Sequence, residues 1–174
     1  MISLYLSKGK WPNYGEVSVE NQLGKIRSIA DYQFGKNVGE KLFPENVTFE
    51  LSKRTGRIRF INLDGERLAT LRPTDGLFSL SIKAAKHLVE NIPEAKGLLM
   101  LKNGVSQYIA AGGDVFAVHV VQVDDEIRAK DEVIIIDENR KLLAVGRATL
   151  SAPEIHAFKT GVAVKVRHGI NSKD

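Results

Sequence analysis

Residues 131–150, DEVIIIDENRKLLAVGRATL, constrain the fold more than any other part of the chain. An acidic pair, Asp131 and Glu132, opens a β-branched run that ends at Ile136. A polar turn, Asp137-Glu138-Asn139-Arg140-Lys141, separates that run from a second one carrying Gly146. Two short apolar runs around such a turn predict a β-hairpin. Because the apolar residues are consecutive rather than alternate, both strands are expected to be covered on much of both faces.

Upstream, residues 47–82 hold three turn signals between apolar segments: Lys53-Arg54-Thr55-Gly56, Asp64-Gly65 and Pro73-Thr74-Asp75-Gly76. Asp-Gly is a strong hairpin signal. With turns of four, two and four residues, strict alternation collects Val47, Phe49, Leu51, Ile58, Phe60, Ala69, Leu71, Phe78 and Leu80 on one face. The other face then carries Thr48, Glu50, Ser52, Arg57, Arg59, Ile61, Leu68, Thr70 and Arg72. A one-residue slip would mix the two sets. The expectation is an antiparallel meander with one oily face, which needs helices to cover it. Two segments can do so: 18–34, capped by Ser18 and stopped by Gly35, and 82–91, with a short helix before Pro44. Residues 1–19 read as a short strand and a loop. On the polar face Arg57, Arg59 and Arg72 are expected to lie together, with Lys53 and Arg54 at one turn. A solvated strand face and a phosphate-binding one are equally consistent with that pattern.

The pattern changes at residues 91–96, NIPEAK, which places a boundary between an α+β domain (1–94) and a second domain (95–174). The second part shows short β-like segments at 98–101, 118–123, 133–136, 142–150 and 162–167, and a short helix over 105–111 that ends at Gly112-Gly113. Five short strands in about 75 residues predict a small closed or half-closed barrel, because closure removes exposed edges.

The chain has 25 basic and 21 acidic residues, four histidines and no cysteine. The absence of cysteine excludes disulfides and thiolate chemistry and is compatible with a reducing cytoplasm, where we expect the protein. No apolar run approaches the roughly 20 residues of a membrane helix, and no signal peptide is evident. Histidines 87, 119, 156 and 168 lack metal-binding spacing, and no phosphate loop or dinucleotide fingerprint occurs. No metal, cofactor or catalytic group is therefore expected. Asp124-Asp125-Glu126 reads as an exposed acidic loop and Gly112-Gly113-Asp114 as a helix-ending turn. The most one-sidedly basic stretch is C-terminal: Lys159, Lys165, Arg167 and His168, with no acid between 159 and 173. Alternation puts Val162, Val164 and Val166 in the core and Lys165 and Arg167 outside.

Several blocks carry a family resemblance. Gly112-Gly113-Asp114-Val115-Phe116-Ala117, Asp131-Glu132-Val133, Leu143-Ala144-Val145-Gly146-Arg147-Ala148 and Gly161-Val162-Ala163-Val164-Lys165-Val166-Arg167-His168 occur in an order that resembles a PUA domain, the small RNA-binding pseudo-barrel of pseudouridine synthases and archaeal tRNA-guanine transglycosylases. In the first half, Ala30-Asp31-Tyr32-Gln33-Phe34-Gly35, Leu42-Phe43-Pro44, the block 52–59 and Leu71-Arg72-Pro73-Thr74-Asp75-Gly76 resemble the segment preceding the PUA domain in archaeosine tRNA-guanine transglycosylases. The catalytic barrel of those enzymes has no counterpart here. The resemblance implies a non-enzymatic, RNA-binding chain whose contact surface comprises Gly112, Gly113, Val118, His119, Arg147 and the last strand, extended by Lys53, Arg54, Arg57 and Arg59. It also implies Gly146 as a close-packing position. One departure stands at Ala117-Val118-His119-Val120: the family usually has a glycine-containing step there, and His119 either obstructs the RNA or replaces that contact. The implied ligand is structured RNA such as tRNA, and the implied partner is a separately encoded tRNA-guanine transglycosylase-like subunit. A protein-interaction module that docks such a subunit with little RNA contact is the alternative.

Overall fold

The computed structural model describes residues 19–172. The expected cap at Ser18, and the strand and loop expected N-terminal to it, lie outside the described residues. Helix α1 (Val19–Phe34) buries Ile26, Ala30 and Phe34 at helical spacing and stops at Gly35. A single turn, α2 (Val38–Leu42), precedes Pro44. Strands β1 (Thr48–Leu51), β2 (Ile58–Leu63), β3 (Glu66–Leu71) and β4 (Phe78–Leu80) form an antiparallel meander in sequence order. Its central turn is Asp64-Gly65, with both residues at positive φ (53° and 79°), as a two-residue hairpin turn of this hand requires. Helix α3 (Ile82–Asn91), capped by the Ser81 hydroxyl accepting from the Ala84 N–H, covers the oily face together with α1.

Strict alternation misplaces several meander residues. Ile61 is fully buried and pairs with Phe49 and Ala69, whereas Phe60 lies on the outer face between Glu50 and Thr70. Leu68, expected outside, is buried, and Leu51 is 45% exposed. Two bulges are the cause. Arg59 is an extra residue between the Glu50–Phe60 and Leu51–Ile58 pairs, and Leu68 is extra between Ala69 and Arg67. Each extra residue shifts the in–out phase of its strand by one. Arg72 also differs from expectation: it is buried rather than clustered with Arg57 and Arg59.

The second half is a six-stranded, nearly closed sheet in the order β6–β10–β9–β8–β5–β7. Its strands are β5 (Leu98–Leu101), β6 (Val115–Phe116), β7 (Val120–Val123), β8 (Glu132–Asp137), β9 (Leu142–Ala148) and β10 (Val162–Gly169). Val118 and His119 fall in a 3-10 turn (Ala117–His119) rather than in the strand expected over 118–123. Helix α4 (Ser106–Ala110) ends at the Gly112-Gly113 turn, as expected. A further helix, α5 (Ala152–Ala157), opens with a capping box in which Ser151 and Glu154 satisfy each other's groups. The Ser151 N–H and hydroxyl bonds hold the Glu154 carboxyl below its usual range.

The β8–β9 hairpin is the shared wall of two cores. Val133, Ile135, Leu143 and Ala144 point into the barrel, while Ile134, Ile136, Leu142 and Val145 join the core built by α1, α3 and the meander. All six residues of β8 are buried. Gly146 lies against β10 so closely that a Cβ there would meet the Lys165 carbonyl oxygen at 2.4 Å and Val164 Cγ1 at 2.9 Å. Gly146→Ala should therefore force β9 and β10 apart and destabilise the protein by about 1–3 kcal/mol, read as a lower urea midpoint with an unchanged m-value.

Candidate nucleic-acid interface

The 3-10 turn lies beside the start of β10, and the Gly112-Gly113 turn lies against its end, where a Cβ on Gly169 would be 2.8 Å from the Gly112 nitrogen. Strand β6 pairs antiparallel with β10, Phe116 opposite Val162 and Val115 opposite Val164, and the Ala117 N–H donates to the Gly161 carbonyl at 3.0 Å. The Asp114 carboxylate accepts from the Val166 N–H at 2.9 Å, tying the turn to the last strand. The ring of Tyr108 lies directly over Gly113, where a Cβ would be 2.2 Å from Cε1, and Tyr108 remains 58% exposed.

Beside this junction is a groove of about 260 Å³ lined by Val118, Val121, Ile155, His156, Phe158 and Lys159 among others. Val118, Val121 and Phe158 are each about half exposed, and Phe116 is 40% exposed. Apolar side chains of this size left open to water beside a lysine suit a ligand with flat faces and negative charge, the combination a nucleotide offers. Of the predicted contacts, Val118 and Lys159 line this groove; His119 does not, and its carbonyl instead accepts from the Lys102 N–H. Phe158, Val121 and Tyr108 lie outside the binding segments the sequence pointed to, whereas Phe116 falls within Gly112–His119. The adjacent Phe158-Lys159 pair, just before Thr160-Gly161, was the available signal.

The remaining barrel residues occupy the outer wall. Lys165 faces Arg147 across the β9–β10 ladder, and His168 faces Val145. Lys159, Lys165 and His168 have no hydrogen-bond or ion-pair partner among the described residues, whereas Arg147 donates from Nε to the Lys130 carbonyl and lies 3.5 Å from Asp75. Arg167 is not free on the outer side as alternation predicts. It is an extra residue between the Val166–Gly146 and His168–Val145 pairs, and this bulge turns it toward the meander. There its two terminal nitrogens donate to the Glu132 carboxylate, and Nη2 also reaches the Leu80 carbonyl at 2.7 Å.

On the meander, Lys53, Arg54, Arg57 and Arg59 are all exposed at the β1–β2 end, and none has a carboxylate partner among the described residues. Two guanidinium groups lie over the Phe60 ring, with Arg67 Cζ 3.6 Å and Arg59 Cζ 5.0 Å from its centroid. Such a stack orients cations while leaving their N–H edges available to phosphate. Arg72 belongs elsewhere: its Nε donates to Asp75 at 3.0 Å, Nη2 is 2.8 Å from the same carboxylate, and Nη1 is 3.9 Å from Glu132. No group of three or more His, Asp or Glu side chains among the described residues is placed to hold a metal, and no helix among them is long and apolar enough to cross a membrane.

Residues 24–94 match the family described as the patch-forming domain C2 of tRNA-guanine transglycosylase, and residues 97–170 match the PUA domain. The chain is a C2–PUA unit. It resembles the C-terminal part of tRNA-guanine(15) transglycosylases. It is 43% identical over 152 residues to that of Methanobrevibacter smithii, covering 87% of this chain and 23% of the relative. The corresponding figures for Pyrococcus furiosus are 42% over 154 residues, 88% and 26%. The chain thus spans about a quarter of the length of these relatives. The same two-part fold occurs in a hypothetical protein of Pyrococcus horikoshii (TM-score 0.70, 22% identity, 88% of this chain and 93% of that one). A conserved PUA-domain protein of Thermoplasma acidophilum shares it as well (TM-score 0.61, 20% identity, 90% and 93%). In these terms the apolar groove lies in the PUA domain and the Lys53–Arg59 cluster in the C2 domain.

The contact between the two domains has its own acid response. Burial raises the Asp75 carboxyl, but hydrogen bonds from Arg72 and the Leu77 N–H, with the charges of Arg72 and Arg147, outweigh it and hold Asp75 below its ordinary value. A carboxyl lowered in the folded state stabilises fully above its unfolded pKa and stops doing so as pH falls through the folded one. The stability gap between the unsubstituted protein and Asp75→Asn should therefore be full at neutral pH and shrink as pH falls through and below the ordinary carboxyl value of 3.8, measured by urea unfolding across that range.

Proposed function

We propose that this protein binds structured RNA, with tRNA as the ligand, and serves a tRNA-modification enzyme whose catalytic part lies outside these residues. The observation that carries the reading is the groove itself: Val118, Val121 and Phe158 open to solvent beside Lys159 in a PUA domain. The alignment of 87% of the chain with a tRNA-guanine(15) transglycosylase supports tRNA as the ligand and guanine exchange as the process it serves. Binding, not turnover, is the mechanism. Bases from an unpaired end stack on Phe158 and against Val118 and Val121, with Lys159 on the phosphates. Lys53, Arg54, Arg57 and Arg59 take a second backbone segment, and Gly112, Gly113, His119, Arg147, Lys165 and His168 extend the first along the outside of β10. Selectivity comes from shape and 2′-hydroxyls more than from base edges.

Folded tRNA transcripts should bind with an affinity that falls steeply with salt, and more tightly than an unstructured oligomer of equal length, in a filter-binding series from low to physiological salt. The double variant Arg57→Ala/Arg59→Ala should weaken binding and flatten the log–log salt slope by about two, since each lost phosphate contact removes about one. Phe158→Ala should cost about 1–3 kcal/mol with the slope unchanged, because a stacked base releases no counterion. Equal affinity for tRNA and the oligomer would defeat the structured-RNA reading. Absence of any tRNA shift at low salt, together with co-purification of a transglycosylase-like subunit, would make the exposed apolar residues a protein-docking surface instead.

A further inference from the structure

We infer that Arg167 is a positioning residue: its fork on the buried Glu132 fixes the angle between the C2 sheet and the PUA barrel, and with it the spacing of the two proposed RNA-contacting surfaces. The inference rests on the RNA-binding reading only for its consequence, since the clamp is a matter of geometry.

The Glu132 side chain has no exposed surface. It accepts from Arg167 Nη1 at 2.8 Å, from Arg167 Nη2, and from the Leu80 N–H at 2.8 Å, while Arg167 Nη2 also donates to the Leu80 carbonyl. One carboxylate and one guanidinium thus bracket both main-chain polar groups of Leu80, the last residue of β4 and the one before the Ser81 cap of α3. Arg72, itself 9% exposed at the side chain, brings Nη1 to 3.9 Å from the Glu132 oxygen that accepts from Arg167 Nη1. Arg167 reaches this position only because it occupies the β10 bulge, and the Asp114 carboxylate anchors the neighbouring Val166 N–H. A continuous chain of directed bonds therefore runs from the Gly112-Gly113-Asp114 turn, through the bulge, to the end of the C2 meander.

The domains also share a packed apolar contact through Ile134, Ile136, Leu142 and Val145, whose driving force is non-directional. A bidentate guanidinium–carboxylate pair with a shared main-chain partner adds a directional constraint to it. Burying a carboxylate for stability alone has little advantage, since an apolar pair of equal volume is often as stable. A directional pair holds an angle more narrowly than apolar packing alone. Both terminal nitrogens of Arg167 are engaged by Glu132, and Nη2 also by the Leu80 carbonyl, which leaves only Nε and one Nη1 hydrogen for another partner.

Because the chain has no cysteine, two spin labels can be placed cleanly. Thr55→Cys and Thr160→Cys put one on the exposed β1–β2 turn and one beside the groove. Double electron–electron resonance on the full chain should give one narrow distance. Arg167→Ala and Glu132→Gln should each broaden or shift it. Arg167→Lys, which keeps the charge but loses the fork, should do the same and serves if the alanine variant fails to fold. In parallel, tRNA affinity of Arg167→Lys should drop roughly tenfold with an unchanged salt slope, the loss expected when two linked contacts fall out of spacing. An unchanged distance distribution in Arg167→Lys and Glu132→Gln would overturn the inference. So would an Arg167→Ala variant whose salt slope falls by about one while Arg167→Lys binds normally, since that marks a phosphate contact. If the unsubstituted protein binds no RNA, the reading under Proposed function falls, and the clamp stands or falls on the distance measurement alone.

Discussion

The molecule depends on one hairpin being buried from both sides. Side chains alternate along a strand, so β8 can present Val133 and Ile135 to the barrel interior and Ile134 and Ile136 to the helices of the C2 domain. Strand β5, which pairs parallel to β8, repeats the arrangement: Leu99 and Leu101 face inward, Leu98 and Met100 outward. The C2 core cannot be completed without the barrel, because the outer wall of the barrel is also its floor. The C2 domain is therefore expected to unfold whenever the barrel does.

Onto this apolar wall the fold adds a small set of charges whose geometry is directional. Glu132 opens β8 at the point where the barrel meets β4, and three arginines converge there from β10, β9 and the end of β3. Two of them, Arg167 and Arg72, face Glu132, and Arg147 and Arg72 share Asp75. Cations that the sequence offers to an external anion are thus consumed internally. Among the exposed basic residues left without a carboxylate partner among the described residues are Lys53, Arg54 and Arg57 at one extremity and Lys159 and Lys165 at the other. The proposed ligand has to reach both.

Much of this was legible in the residues. The consecutive apolar positions of 133–136 required two-sided burial, Asp64-Gly65 set its hairpin turn, and the spacing of Ile26, Ala30 and Phe34 marked the covering helix. The resemblance named Val118 and the one-sided charge named Lys159, and both line one groove in the structure. What failed did so for local reasons. Alternation assumes a fixed period of two, and the bulges at Arg59, Leu68 and Arg167 each break it. Helix α5 was missed although Ser151 and Glu154 carry its capping signature. The groove residues Val121 and Phe158 were missed because an apolar residue in a short segment reads as core unless its neighbours are known.

The sequence by itself determined the element types, their order, the two-sided hairpin and the cysteine-free, mildly basic character of the chain, because period, turn chemistry and composition act locally. Only the tertiary structure decided which cations are free. Arg57 and Arg167 are equally basic in the sequence, yet one points into solvent and the other is held on a buried carboxylate 35 positions away. That difference arises from a bulge and a domain contact, both of which depend on residues remote in the chain.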